Sequence, residues 1–181
     1  MNKKILVILG SPRKNGNTEI LANSFIAGAE AMGNQIQKIS LQGMKINGCF
    51  GCDYCSRNDG KCVQKDDMNI LYDKLAWADI VVFASPLYFF GISAQLKTVV
   101  DRLYASLTKP FPVQQGILLL AYGSQDIHEV DLAVAHYQKL LSEGLGWQNG
   151  GVITAGGVLQ KGDINGHPAL LKAKNLGESI Q

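Results

Sequence analysis

The chain has 181 residues, 46% of them hydrophobic and 18% charged, and its 17 basic and 15 acidic residues leave a net charge of +2. One domain over residues 1–181 fits this length and buries enough apolar surface to fold without disulfides. The composition excludes a disordered chain, a collagen-like repeat and a disulfide-stapled miniprotein, and the balanced charge excludes nucleic acid as the expected partner.

The chain opens with Met1-Asn2-Lys3-Lys4 and an apolar run over residues 5–9, which Gly10-Ser11-Pro12-Arg13-Lys14 ends. That run is too short for a signal peptide. No run reaches the roughly 18–20 residues of a membrane span, so a cytoplasmic protein with no membrane contact is expected. Residues 5–9, 80–84 and 117–121 are continuously apolar, as central strands of a parallel sheet covered on both faces are. Residues 36–41 are more polar and read as an edge strand. Residues 152–155, between two glycine pairs, read as a strand at the other edge.

Helical stripes alternate with these runs. Leu21, Phe25, Gly28 and Met32 repeat at three-to-four spacing after Asn17. Met68, Leu71, Tyr72 and Leu75 follow Asp66-Asp67, which suit a helix start. Ile92, Leu96, Val99, Val100 and Leu103 form a third stripe. Ile127, Val130, Val134, Tyr137 and Leu141 form a fourth, stopped by Gly144. Pro168 opens a fifth. Five strands alternating with five helices predict an α/β three-layer sandwich with a parallel sheet of order 2-1-3-4-5. In such sheets ligands lie beyond the carboxyl ends of the strands, at the switch point between strands one and three.

Three segments carry chemistry. The first runs from Gly10 to Thr18, between strand one and helix one. A helix N-terminus with unpaired N–H groups, hydroxyls, amides, Arg13 and Lys14 suits a phosphate. It is neither a Walker loop nor a G-x-G-x-x-G turn, because Gly10 and Gly16 are six apart. The second, residues 85–91, follows strand three and offers the flat apolar surface of Tyr88, Phe89 and Phe90. The third is the long stretch over about residues 42–65. It holds all four cysteines as Cys49-x2-Cys52-x2-Cys55-x6-Cys62, and Asn58-Asp59-Gly60 can turn the chain back within it. Clustered cysteines in a cytoplasmic chain read as a metal or redox site. Four ligands to one [4Fe–4S] cluster, a zinc site, a thiol pair such as Cys52 with Cys55, and cluster-free cysteines are the open readings. His128, His136 and His167 are dispersed and expected on the surface or at helix caps. No side chain is assigned to acid–base catalysis.

The run GSPRKNGNT resembles the NADPH-dependent FMN reductase family. The resemblance continues in Ser85-Pro86-Leu87-Tyr88-Phe89-Phe90-Gly91, in Gln95-Leu96-Lys97 and in Asp101-Arg102, and covers most of the chain, more loosely in its last third. It implies a flavodoxin-like fold, FMN as cofactor and NAD(P)H as electron donor. It further implies that Ser11, Arg13, Asn17 and Thr18 hold the FMN phosphate. Pro86, Leu87, Tyr88, Phe89 and Gly91 then contact the flavin ring, with Tyr122 and Gly123 in a third contact loop. The compact cysteine run after the second strand resembles the iron–sulfur flavoprotein branch, which implies a [4Fe–4S] cluster on Cys49, Cys52, Cys55 and Cys62. The implied activity is reduction of quinone, nitro, azo or flavin acceptors by a homodimer or homotetramer. An electron carrier exchanging electrons with ferredoxin is the alternative, and a zinc-bearing binding module is a third class. Asp101-Arg102 is expected to make an ion pair or an interface contact.

Overall fold

The computed structural model describes residues 2–181. Its strands are β1 (Lys4–Leu9), β2 (Gln35–Ser40), β3 (Ile80–Tyr88), β4 (Gly91–Ile92), β5 (Gln115–Ala121) and β6 (Gln148–Ala155). Its α-helices are α1 (Asn17–Ala31), α2 (Met68–Trp77), α3 (Ala94–Arg102), α4 (Asp131–Lys139) and α5 (Pro168–Glu178). Five strands pair in parallel in the order β2-β1-β3-β5-β6, and β4 is a two-residue antiparallel addition to β3. The sheet therefore has the expected order with one short extra strand. The fold is flavodoxin-like.

Alternation along the central strands builds two cores. Ile5, Val7 and Leu9 point to the side covered by α1 and α5, packing with Leu21, Phe25 and Ala173. Leu6 and Ile8 point to the other side, against Met68, Leu71, Leu96 and Val99 of α2 and α3. Each fully buried aliphatic side chain contributes about 1.5–3 kcal/mol. That is why β1, β3 and β5 carry no polar residue on either face over most of their length. No helix among the described residues is long and apolar enough to cross a membrane.

Four boundaries differ clearly from the sequence expectation. The third strand, expected to end at residue 84, runs on to Tyr88, so the first half of the expected loop over residues 85–91 is strand, with residues 85 and 86 pairing with β5 and 87 and 88 with β4. Ile92 belongs to β4 rather than to the third helix, because Ser93 caps α3 by accepting a hydrogen bond from Leu96 N–H at 3.3 Å. The fourth helix opens as a 3-10 turn at Ile127–Val130 and ends as a π-turn at Leu140–Leu145. Its stop is Gly146, in the left-handed region at φ 69°, rather than Gly144. β6 begins at Gln148, four residues earlier than expected, because pairing with β5 carries its polar start.

Candidate functional site

Strand β1 ends at Leu9, and the Gly10 N–H donates to Ala84 O at 2.8 Å, which keeps the first loop beside β3. The chain turns through Asn15 at φ 51°, and Gly16 becomes the N-cap of α1 with an extended backbone. The first intrahelical bond runs from Ile20 N–H to Gly16 O at 3.0 Å. The N–H groups of Asn17, Thr18 and Glu19 therefore face out of the helix end, where they and the helix dipole favour an anion. Ser11, Asn17 and Thr18 are buried, and Arg13 is exposed.

Asn17 is committed elsewhere by its side chain. Its amide donates to Val158 O at 3.1 Å and Gln160 O at 2.8 Å, and its Oδ1 accepts from Gly162 N–H at 3.0 Å. Both amide hydrogens are used, so what Asn17 offers an anion is its backbone N–H. Arg13 Nη1 donates to Leu159 O at 3.1 Å. The loop after β6 is thus tied to the first loop from both sides.

These segments enclose a cleft of about 190 Å³ at the carboxyl ends of the strands. Ser11, Arg13, Asn17 and Thr18 line one end, Pro86, Leu87 and Tyr88 one wall, and Tyr122 and Gly123 the other. Nine of the eleven residues expected to hold a cofactor share this cleft. Phe89 and Gly91 do not line it. Phe89 and Phe90 form the two-residue turn between β3 and β4 with φ of 46° and 64°, and this turn leaves Phe89 fully exposed. Three further lining residues, Ala121, Val158 and Leu159, escaped sequence reading as site residues, and the Gly156-Gly157 pair before the last two was the signal that the chain turns back there. Ser93 was missed too. It donates from Oγ to Gly10 O at 2.7 Å and from N–H to Ser85 Oγ at 2.9 Å, locking the first and second loops together.

The long loop after β2 is held by its two ends. Asn47 N–H donates to Asp66 Oδ2 at 3.0 Å, and Gln64 Nε2 donates to Gly48 O at 2.9 Å. Between them the chain runs through successive turns, with Asp59 at φ 53° and Gly60 at φ 73° making the expected reversal. Cys49 and Cys52 are exposed, Cys55 and Cys62 half-buried, and all four are free thiols. Burial pushes the Cys55 thiol up, and the nearby Cys62 and Cys49 thiols add to the shift. In this arrangement, no three Cys, His, Asp or Glu side chains among the described residues are gathered closely enough to grip a metal ion. The donor set itself suits an iron–sulfur cluster: four thiols in one loop, with Arg102 Nη2 donating to Cys62 Sγ at 3.4 Å.

Arg102 is the anchor under this loop. It is 2% exposed and donates to Asp66 Oδ2 at 2.8 Å, Asp66 Oδ1 at 3.1 Å and Asn47 O at 2.8 Å. Its partner is thus Asp66, not the adjacent Asp101, which pairs with Lys97 at 2.6 Å. Burial pushes the Asp66 carboxyl up, but Arg102 and the N–H groups of Asn47 and Met68 outweigh it and hold the group below its ordinary 3.8. A depressed carboxyl contributes stability above its unfolded pKa, and that contribution is lost as pH falls through the folded value. The advantage of the wild-type chain over Asp66→Asn in urea denaturation is therefore expected to shrink from about pH 5 to about pH 3. A gap that stays constant over that range would show that the ion pair does not carry the difference. The histidines lie as expected. His128 and His136 are exposed, and His167 caps α5 by accepting from Ala169 N–H at 3.1 Å.

A family model described as NADPH-dependent FMN reductase matches residues 3–154. An iron–sulfur flavoprotein of Archaeoglobus fulgidus is 33% identical over 178 residues, covering 98% of this chain and 78% of the relative. The chain belongs to the NADPH-dependent FMN reductase family, in its iron–sulfur flavoprotein branch. An iron–sulfur flavoprotein of Methanocaldococcus jannaschii is 38% identical over 113 residues, 62% of this chain and 57% of the relative. Among solved structures, the NAD(P)H:quinone oxidoreductase of Methanothermobacter marburgensis superposes over the whole of both chains with a TM-score of 0.79 at 15% identity. An azoreductase of Bacillus anthracis gives 0.73 at 20% identity, over 99% of this chain and all of the other. At such identities the structural likeness is one of fold. For an FMN reductase family member, the oxidoreductase class, the flavin cofactor and the nicotinamide donor follow from membership. The cleft at the switch point is where the fold places a ligand.

Proposed function

We propose that the chain is an FMN-dependent, NAD(P)H-oxidising reductase of quinone, nitro, azo or flavin acceptors that holds its flavin in the cleft between the first loop, residues 86–88 and residues 122–123. The observation that carries this reading is the α1 N-terminus, with three outward N–H groups beside Ser11, Thr18 and Arg13 at one end of a cleft whose other walls are apolar. A dianionic phosphate at that end is neutralised by the helix dipole and Arg13 without a metal. The Pro86–Leu87–Tyr88 wall supplies the surface for the ring. FMN, when bound, supplies hydride acceptance and stepwise electron release, and the protein contributes orientation and exclusion of water.

Cys49, Cys52, Cys55 and Cys62 are the residues that would hold a [4Fe–4S] cluster, which supplies one-electron chemistry. The loop is anchored at Asn47, Gln64 and Asp66, and its middle is further bonded by Tyr104 to Asp53 at 3.2 Å and by Lys109 to Asp59 at 2.7 Å, so the thiols would gather by local rearrangement between these ties when ligands bind. The reading extends to a homodimer or homotetramer, supported by Phe89 and Phe90 standing exposed beside the cleft.

The test is flavin titration together with anaerobic iron, sulfide and absorption measurements. FMN is expected to bind one per chain and to support NADPH oxidation. Arg13→Ala is expected to weaken FMN by about tenfold or more, the scale of one lost charge-assisted hydrogen bond. Failure to take up FMN, or FMN-loaded protein that oxidises neither NADH nor NADPH, would sink the reductase reading. Anaerobic protein without iron would leave the cysteines as thiols.

A further inference from the structure

The phosphate-end cleft is not the roomiest cavity of the molecule. A cavity of about 550 Å³ lies on the far side of the cysteine loop, between that loop, α2 and the segment around Phe111. This volume falls in the usual range for a small-molecule site, and the walls are mainly apolar. Tyr72 and Phe111 form a flat aromatic wall, their rings 6.2 Å apart and 19° from parallel. The Tyr72 hydroxyl is used behind this wall, donating to Arg102 O at 3.0 Å, so a ligand meets a fixed ring. Ala76 presents only a methyl group on the α2 side, and Cys62 is part of the lining.

The rim is cationic. Lys109 pairs with Asp59 at 2.7 Å, and Lys61 has no carboxylate within ion-pair distance among the described residues. Two lysines against one carboxylate leave one positive charge over an aromatic wall. A planar aromatic molecule with one negative charge matches both features, because the ring buries apolar area on the wall while its charge meets the exposed Lys61 at the rim.

We propose that this cavity is a second ligand site, distinct from the flavin cleft, for a planar aromatic acceptor carrying one negative charge. The ligand's role as an acceptor rests on the reductase reading above, whereas its binding does not. Occupied, the cavity holds the ring against Cys62, one of the four cysteines of the loop, so the site lies next to the second redox centre that those residues would hold.

The test uses the full FMN-loaded chain, oxidised and without nicotinamide, titrated calorimetrically with anthraquinone-2-sulfonate and with uncharged 2-(hydroxymethyl)anthraquinone. Ala76→Phe, on an exposed helix position, fills the cavity and is expected to weaken both ligands by about tenfold or more. Lys61→Glu is expected to weaken the sulfonate by about threefold and leave the uncharged ligand within about twofold. Arg13→Ala is expected to lower FMN affinity and leave sulfonate affinity in place, which separates this site from the flavin cleft. The proposal is overturned if the sulfonate does not bind, or if Ala76→Phe leaves its affinity unchanged while circular dichroism shows a folded protein. It is equally overturned if removing FMN abolishes sulfonate binding, since the ligand then sits on the flavin. A protein that binds the sulfonate in this way yet oxidises no NADPH keeps the site and loses only the reductase reading.

Discussion

Replacing Arg102 by methionine is expected to lower stability by about 3–5 kcal/mol, the usual cost of stranding one partner of a buried ion pair. The Asp66 side chain is only 7% exposed and would keep two backbone N–H donors while losing its counter-charge. For a domain of this size the loss corresponds to a melting point lower by about 10 °C. Arg102→Lys is expected to fall between wild type and Arg102→Met. A lysine can meet Asp66 but cannot also reach Asn47 O and Cys62 Sγ with a rigid fork. The double variant Arg102→Met with Asp66→Leu is the decisive comparison. Replacing a buried pair by apolar residues is often neutral, so the double variant is expected to be more stable than Arg102→Met alone. Additive losses from the two single variants would mean that the two groups act separately. Arg102 Nε has no hydrogen-bond partner, so the pair already carries an unmet donor. The retained arginine then reflects what it does for the loop: it ties Asn47, Cys62 and Asp66 to the end of α3. The same helix is capped by Ser93, which is bonded to the first and second loops, so α3 is one rigid strut between the switch-point cleft and the cysteine loop.

Legibility in the sequence followed how local the cause was. The central strands were readable because burial on both faces forces an unbroken apolar run, and nothing else in residues 5–9 or 117–121 competes with that reading. The first loop was readable as the turn into α1 because Gly16 and Asn17 are local signs of a helix start. The turn between β3 and β4 was not, because it places Phe89 and Phe90 at positive φ where glycine or asparagine is the usual sign. Asp66 reads in sequence as a helix-start residue, and its Oδ1 does accept from Met68 N–H at 3.2 Å. Its stronger role, pairing with Arg102 36 residues away, has no sequence signature. Asn17 shows the converse. Its type and place suggested a ligand to phosphate, but the return of residues 158–162 over the cleft occupies its amide, and that return depends on tertiary packing.

Gly28→Ala and Gly177→Ala are each expected to destabilise the chain by about 3 kcal/mol or more, at or beyond the upper end of ordinary overpacking. Both glycines are buried where α1 and α5 cross. A methyl group on Gly28 would collide with the Lys174 carbonyl oxygen, and one on Gly177 with the Phe25 carbonyl oxygen and with Ala29 N at 2.7 Å. These obstacles are backbone, so no side chain can rotate away and the helices must separate. Helix propensity alone predicts the opposite sign, since alanine is favoured over glycine by about 1 kcal/mol in a helix interior. Gly144→Ala supplies the control, because its nearest new contact is a flexible Leu140 methyl at 3.4 Å. It is expected to change stability by less than about 0.5 kcal/mol. Chemical denaturation of the three variants therefore decides between propensity and packing. A shift of α1 also moves the helix end that lines the cleft, so residual folded Gly28→Ala protein is expected to bind FMN more weakly than wild type. A destabilised variant with unchanged FMN affinity would show that the helix end is fixed by Asn17 and its three bonds to the 158–162 loop, independently of the α1–α5 contact.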